Sequence, residues 1–334
     1  MTGAARARVP ASAALLDIQA PVTDRLHEVV TEMRRIVTHE LPLIEQVSAH
    51  LLQMRGKMFR PTLALLASEV ESSPQPRAVT MAAVVELMHL ASLVHDDSVD
   101  HSALRRGLPT VNSLFSHQVS VIMGDFLYSR ALEALVALGD LDLMRVLTSV
   151  STQLTIGEMR QLAAVEALAF GEADYEALIQ AKTASLLSAA CETGAMCGAP
   201  RFRDALRRYG ERLGMAFQVA DDILDYTGSS NETGKPSGLD LREHKVTLPL
   251  ILALPRLQRK ERASIEALFE SESPRDEQID EVITLVASAG GIDGARHRGE
   301  EYARQAEEAL DGLPDTPART ALADAILYVM DRRS

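Results

Sequence analysis

Tryptophan is absent from the chain, cysteine occurs only as Cys191 and Cys197, and aromatic residues together make up 4% of the sequence. Two isolated thiols in 334 residues argue against a disulfide framework or a cysteine-based zinc site, and both are expected reduced and buried. The scarcity of aromatics, with no Val/Ile/Thr alternation long enough to nominate a strand, argues against a sheet. Basic residues are the minority, 34 Lys and Arg against 47 Asp and Glu, for a net charge of -13. The cationic surface that grips a phosphate backbone is therefore missing, and no nucleic-acid partner is expected. No apolar run approaches the roughly 18 residues that span a bilayer, and "ASAALL" after Arg6 and Arg8 is too weak for a secretory signal. These absences predict a cytoplasmic protein without a transmembrane segment, in which any anionic ligand is held by a local cluster or through a metal ion.

What is present is helix-forming. Ala, Leu, Glu and Arg dominate, and Gly and Pro are sparse inside long segments. Met81, Val84, Val85 and Met88 follow the i, i+3, i+4, i+7 template, and Leu213, Phe217, Ala220 and Leu224 form a second stripe. The pattern predicts an all-α, single-domain bundle of roughly ten or more helices. Residues 1–24 are expected to be a flexible N-terminal extension and 25–334 the helical domain. Breaks are short ("SSPQP", "RRGLP", "GAP"), and the longest, "TGSSNETGKPSGLD" at 227–240, has the composition of a mobile lid.

Against that apolar background, "LVHDDSVD" places Asp96, Asp97 and Asp100 in five positions. At about 100° per residue, Asp96 and Asp100 project side by side one turn apart, with Asp97 about a quarter turn away. Carboxylates aimed at one spot raise each other's pKa unless a cation lies between them, and a hard divalent ion such as Mg²⁺ suits their oxygens. A lone acidic run is usually a solvated helix face. Here "VADDILDY" repeats the spacing with Asp221, Asp222 and Asp225, again after an apolar run. Two such clusters facing across a bundle would cage several Mg²⁺ ions and one polyanion. Lys57 and Arg60 in "GKMFRP", Arg105 and Arg106 in "LRRG", and Lys235 and Lys245 around the long loop offer direct contacts.

Taken in order, "GKMFRP", "ELMHLASLVHDDSVDHSALRRGLPT", "GDFLYSRA", "GEMRQL", "KTASLL", "FQVADDILDY" and "GKPSGLDLREHKVTLP" resemble the trans-type isoprenyl diphosphate synthases, long-chain type, from about residue 25 onward. The resemblance implies that Asp96, Asp97, Asp100, Asp221, Asp222 and Asp225 bind two or three Mg²⁺ ions and the diphosphate of an allylic substrate. Isopentenyl diphosphate would be held by Lys57, Arg60, His89 and Arg106. The allylic diphosphate (dimethylallyl, geranyl, farnesyl or geranylgeranyl) would be held additionally by Arg105, Lys182, Thr183, Gln218, Lys235 and Lys245. Catalytic roles fall to Asp96, Asp97, Asp100, Lys182, Asp221 and Asp222, with the dipoles near Lys182, Thr183 and Gln218 stabilising a carbocation. Met58 stands where the family often has a cation. The implied reaction is a 1'-4 condensation: the allylic diphosphate leaves, the isopentenyl double bond attacks the cation, and a proton is lost to the departed diphosphate. A homodimer is implied, with peripheral membrane contact for product release.

Product length is partly legible. Behind Asp96 stand the small Ala91 and Ser92, with Met88 a turn deeper and Met123 and Leu127 as further floor candidates. At about 5.4 Å per turn, each turn takes roughly one isoprene unit; short-chain members of the family often have an aromatic floor here, so the resemblance implies a longer product, roughly thirty to fifty carbons, the size of a quinone side chain. The alternatives weighed are a geranylgeranyl or farnesyl diphosphate synthase, a class I terpene cyclase, a non-catalytic partner subunit, and an HD-type phosphohydrolase built on His95-Asp96 with His89 and His101. The last leaves the second acidic motif unexplained. The cyclase departs from that motif, and a silent partner would carry degraded acids, whereas both motifs are intact.

Overall fold

The computed structural model describes residues 11–54, 56–71, 75–163, 167–228 and 237–331. Helices follow one another from α1 (Ala11–Gln19) through α2 (Thr23–Val37), α3 (Pro42–Gln53) and α4 (Phe59–Glu69) to the central α5 (Arg77–Val99). After a hairpin come α6 (Val111–Leu114), α7 (His117–Ala137), α8 (Leu141–Ala163) and α9 (Glu172–Ile179). The turn Gln180–Ala184 leads into α10 (Ser185–Gly198) and the long α11 (Arg203–Thr227). The C-terminal third holds α12 (Leu239–Arg242), α13 (Leu248–Ala253), α14 (Arg259–Phe269), α15 (Asp276–Ser288), α16 (Gly291–Ala309) and α17 (Pro317–Met330).

Helix α5 is the axis of the bundle, packing against α2, α4, α7 and α10. Every residue from Met81 to Met88 is buried, so the stripe read from sequence is one face of a helix enclosed all round. This corrects the expectation about apolar runs: the 23-residue α5 contains an 18-residue stretch of mean hydropathy 1.5, long and apolar enough to cross a membrane by length and composition. Two-thirds of that apolar stretch is instead buried against neighbouring helices, as in the core of a globular protein. Helices α4 and α10 approach more closely than side chains normally allow, because Gly194 and Gly198 face the Ala64 and Ser68 carbonyls. A Cβ at either glycine would lie 2.1 or 1.9 Å from those oxygens. Cys191 and Cys197 are buried, free thiols on the same helix, as expected, and burial pushes both thiol pKa values up.

Two boundaries differ from the sequence reading. Helix α1 packs on α17, and Ile18 and Val22 belong to the main core, so the packed structure begins before residue 25. "RRGLP" is more than a break: β1 (Leu104–Arg105) and β2 (Leu108–Pro109) pair antiparallel. Their turn puts Arg106 at φ 53° and Gly107 at φ 76°, the double left-handed geometry that matches the strand twist of a tight hairpin.

Candidate active site

The C-terminal half of α5 and the last turns of α11 carry the two acidic motifs to a cavity of about 560 Å³. Asp100 from the first motif and Asp222 from the second both line it, as do Lys182, Thr183, Gln218, Asp240 and Lys245. One acid from each cluster, Asp100 and Asp222, thus lines the same space. Lys182 acts electrostatically on Asp96, and Lys245 is acted on by Asp100, so cations from the second half of the chain face acids from the first.

Several of the acids are held by protein donors. Asp97 accepts from Arg105 Nε at 2.7 Å. Asp222 accepts from Gln218 Nε2 at 2.9 Å and from the Tyr175 hydroxyl at 2.5 Å, and Thr183 Oγ1 donates to Gln218 Oε1 at 2.8 Å. Asp225 takes the backbone amides of Leu239 and Asp240 at 3.0 and 3.1 Å, anchoring the far end of the long loop. Residues 229–236, and with them the lid expectation and Lys235, lie outside the described residues. The lysines that line the cavity are likewise parked on carboxylates: Lys182 on Glu158 at 2.7 Å, and Lys245 on Glu243 at 2.6 Å.

Crowded, desolvated carboxylates respond as physical chemistry requires. Burial raises Asp222 to about 8 against the pull of its Tyr175 and Gln218 hydrogen bonds, with Asp240 and Asp221 adding repulsion. Burial raises Asp96 to about 6, opposed by Lys182 and reinforced by Glu158 and Asp100. Asp240 also reaches about 6, through burial and its neighbour Asp225. These are carboxylate oxygens whose charge burial and crowding disfavour, which is the chemistry a hard divalent cation fits.

Lys182 and Thr183 owe their place to a widened turn. Gln180–Ala184 is a π-helix between α9 and α10, where an extra residue bulges from the ladder. At the other edge of α5, Arg60 sits on the first turn of α4, and Lys57 lies 5.7 Å from the Tyr328 ring. Arg106 donates to the Met54 carbonyl at 2.8 Å. Its guanidinium covers Gly56, whose hypothetical Cβ would fall 2.4 Å from it, so a side chain there would push the flexible end of Arg106 aside. His89, between these arginines, is driven well below its usual pKa by burial and by Arg60, Arg106 and Arg105. Ala91 and Met88 are buried, as are Met123 and Leu127 in the same core. Ser92 is half-buried and its hydroxyl bonds back to the His89 carbonyl at 2.8 Å.

Sequence reasoning missed Tyr175, Glu158, Gln161 and Asp240. Glu158, Gln161 and Asp240 stand inside quoted motifs, "GEMRQL" and "GKPSGLDLREHKVTLP", which was the available signal. Tyr175 had none: its contact with Asp222 spans 47 residues.

An all-helical bundle with two acidic motifs over one cavity defines the isoprenoid-synthase class of fold. The polyprenyl synthetase family model matches residues 41–286, and the chain belongs to that family. It is 36% identical over 318 residues to the all-trans-nonaprenyl-diphosphate synthase (geranyl-diphosphate specific) of Rhodobacter capsulatus, covering 95% of this chain and 97% of the relative. It is 37% identical over 285 residues to octaprenyl diphosphate synthase of Escherichia coli, covering 85% and 88%. Among solved structures, the polyprenyl synthase of Caulobacter crescentus complexed with calcium and isoprenyl diphosphate superposes with a TM-score of 0.90 at 33% identity, over 96% and 98% of the two chains.

Proposed function

We propose that the protein condenses isopentenyl diphosphate head-to-tail with an allylic diphosphate to build an all-trans polyprenyl diphosphate of long-chain type. The observation that carries this reading is the shared cavity: Asp100 and Asp222, from motifs more than a hundred residues apart in sequence, line it together with Lys182 and Lys245. The nonaprenyl and octaprenyl synthases to which the chain is similar support the long product.

Asp96, Asp97 and Asp100 on α5 and Asp221, Asp222 and Asp225 on α11 are the residues that would hold Mg²⁺. Bound Mg²⁺ would supply neutralisation of the allylic diphosphate, making it a good leaving group. Within that arrangement Arg105 fixes Asp97, Tyr175 and Gln218 fix Asp222, and Asp225 ties down the loop that ends at Leu239. Lys182 and Lys245 would exchange their present carboxylate partners, Glu158 and Glu243, for phosphate oxygens, and Arg105 would reach the phosphate with the guanidinium nitrogens that Asp97 leaves open. Thr183 and Gln218, joined by the bond from Thr183 Oγ1 to Gln218 Oε1, would lend their dipoles and those of the π-turn to the positive charge that develops. Lys57, Arg60, His89 and Arg106 would receive isopentenyl diphosphate at the opposite edge of α5, and Lys235 would act from the loop.

Two further elements belong to the proposal. Val121 and Ile122 on α7, with Ile156 and Met159 on α8, stand exposed, and covering them in a homodimer removes apolar surface from water. The apolar product would leave towards a membrane surface. Incubation with Mg²⁺, isopentenyl diphosphate and [allylic] primers of increasing length tests the whole reading, the dephosphorylated products being sized by chromatography. Absence of condensation with every primer would overturn it.

A further inference from the structure

Helix α1 packs on α17, and both helices reach the loop that carries Lys57. Gln19, the last residue of α1, donates through Nε2 to the Lys57 carbonyl at 2.9 Å and to Thr62 Oγ1 at 3.1 Å. Thr62 Oγ1 in turn donates to the Met58 carbonyl at 2.7 Å. Met58 stands at φ 52°, a left-handed backbone that is strained for any residue but glycine and persists only where its surroundings impose it. From α17, the Tyr328 ring lies 5.7 Å from the Lys57 ammonium, within reach of a cation–π contact. The same ring is 5.9 Å from that of Phe59, which stacks on Phe217 of α11 at 6.0 Å. Tyr328 is 4% exposed, and its hydroxyl has no hydrogen-bond partner among the described residues, so the contacts this side chain makes are those of its ring. Lys57 is exposed, and a solvated lysine spreads over many rotamers unless a neighbour holds it.

We propose that Gln19 and Tyr328 are positioning residues that pre-organise Lys57 for the diphosphate of isopentenyl diphosphate. Gln19 fixes the backbone of the loop, directly at Lys57 and through Thr62 at Met58, and Tyr328 holds the ammonium over its ring. Both act through Lys57, and neither touches the substrate. The inference deepens the proposed function and rests on it, because Lys57 is there a contact of isopentenyl diphosphate. Chain growth takes up a fresh isopentenyl diphosphate at every step, so a free lysine would have to be ordered anew at each one. A lysine held by α1 and α17 is ordered once, on folding. Lys182 and Lys245, which would meet the allylic diphosphate, stand on other elements and are untouched by this cradle.

The test is calorimetric binding of isopentenyl diphosphate alone, with no primer so that nothing condenses, to wild type, Tyr328→Leu, Tyr328→Phe and Gln19→Ala, each shown to be folded by circular dichroism. Tyr328→Leu and Gln19→Ala should each bind about fivefold more weakly, the order expected when one long side chain must be ordered on binding. Their KM for isopentenyl diphosphate should rise accordingly, while KM for the allylic primer stays within about twofold of wild type. Tyr328→Phe keeps the ring and should restore wild-type affinity. In a Lys57→Ala background Tyr328→Leu should have no further effect, since the ring acts through that ammonium. Wild-type affinity in Tyr328→Leu, or the same loss with the Lys57 ammonium already removed, overturns the proposal. Should Tyr328→Leu fail to fold, Gln19→Ala decides by the same split between the two KM values. Failure of the wild type to bind isopentenyl diphosphate would defeat the proposed function itself. Amide exchange in a peptide covering residues 56–62 would still judge the cradle: faster exchange in Gln19→Ala supports it, and unchanged exchange contradicts it.

Discussion

Asp222 shows what a single residue in this site has to reconcile. In the unfolded chain its carboxyl titrates near 3.8, whereas burial in the fold raises it to about 8. Between those values the folded state binds a proton that the unfolded state has given up, so stability falls as pH rises through the window. His89, depressed by burial and three arginines, contributes the opposite slope below its usual 6.5, leaving Asp222 to dominate from about pH 7 to 8. In EDTA the melting temperature should therefore fall over that interval, and Asp222→Asn should flatten the slope; a wild-type melting temperature that rises there contradicts the assignment. Tyr175 is tied to the same acid. Tyr175→Phe deletes a 2.5 Å hydrogen bond and should lower kcat by roughly tenfold, the worth of about 1.5 kcal/mol for a bond to a charged acceptor, with circular dichroism unchanged. On α5, burial distinguishes the two chain-length residues. Ala91 is buried, so Phe there would overpack the core, whereas half-buried Ser92 has room. Ser92→Phe should shorten the product to roughly fifteen or twenty carbons if each helical turn houses about one isoprene unit. Unchanged length in the sized products would refute that path.

At the scale of elements, the sequence exposed what is local and periodic and hid what depends on distant partners. The acids of α5 and α11 were legible because both motifs follow apolar helical runs at a fixed spacing. Arg106 was legible as a residue, but not the left-handed hairpin that turns it over Gly56, since that contact joins segments 50 residues apart. The π-turn was not legible either. "QAKTASLL" reads as plain α-helix, and only packing between α8 and α11 explains the extra residue that swings Lys182 and Thr183 into the cavity. Deleting Gln180 should restore a regular helix and rotate those side chains by about 100°, costing roughly a hundredfold or more in kcat with little loss of helix content. Kinetics within tenfold of wild type would show the bulge to be dispensable. The α4–α10 contact gives a matching test of packing. Gly198→Ala must force a methyl against the Ser68 carbonyl and should destabilise by about 3 kcal/mol in denaturant melts, the upper range for overpacking.

For the molecule as a whole, composition already implied an acidic helical protein that meets its anionic substrates through a local cluster. What composition could not convey is that the central helix would be buried on every face, which is why α5 looks like a membrane span by length and hydropathy. Nor could it place α1 in the core, because Ile18 acquires its neighbours only when α17 returns to the start of the chain. The exposed apolar side chains of α7 and α8 predict that Ile122→Asp converts a dimer to a monomer in light scattering; a wild type that is already monomeric would contradict the proposed pairing. Metal-assisted prenyl transfer in one cavity enclosed by two acidic motifs requires both the acids and the metal. It is tested most directly by incubating the protein with Mg²⁺, isopentenyl diphosphate and allylic primers, with and without EDTA, and sizing the dephosphorylated products. The account predicts all-trans chains of roughly thirty to fifty carbons that vanish with EDTA and with Asp96→Asn, whereas no condensation with any primer, or condensation indifferent to EDTA, would contradict it.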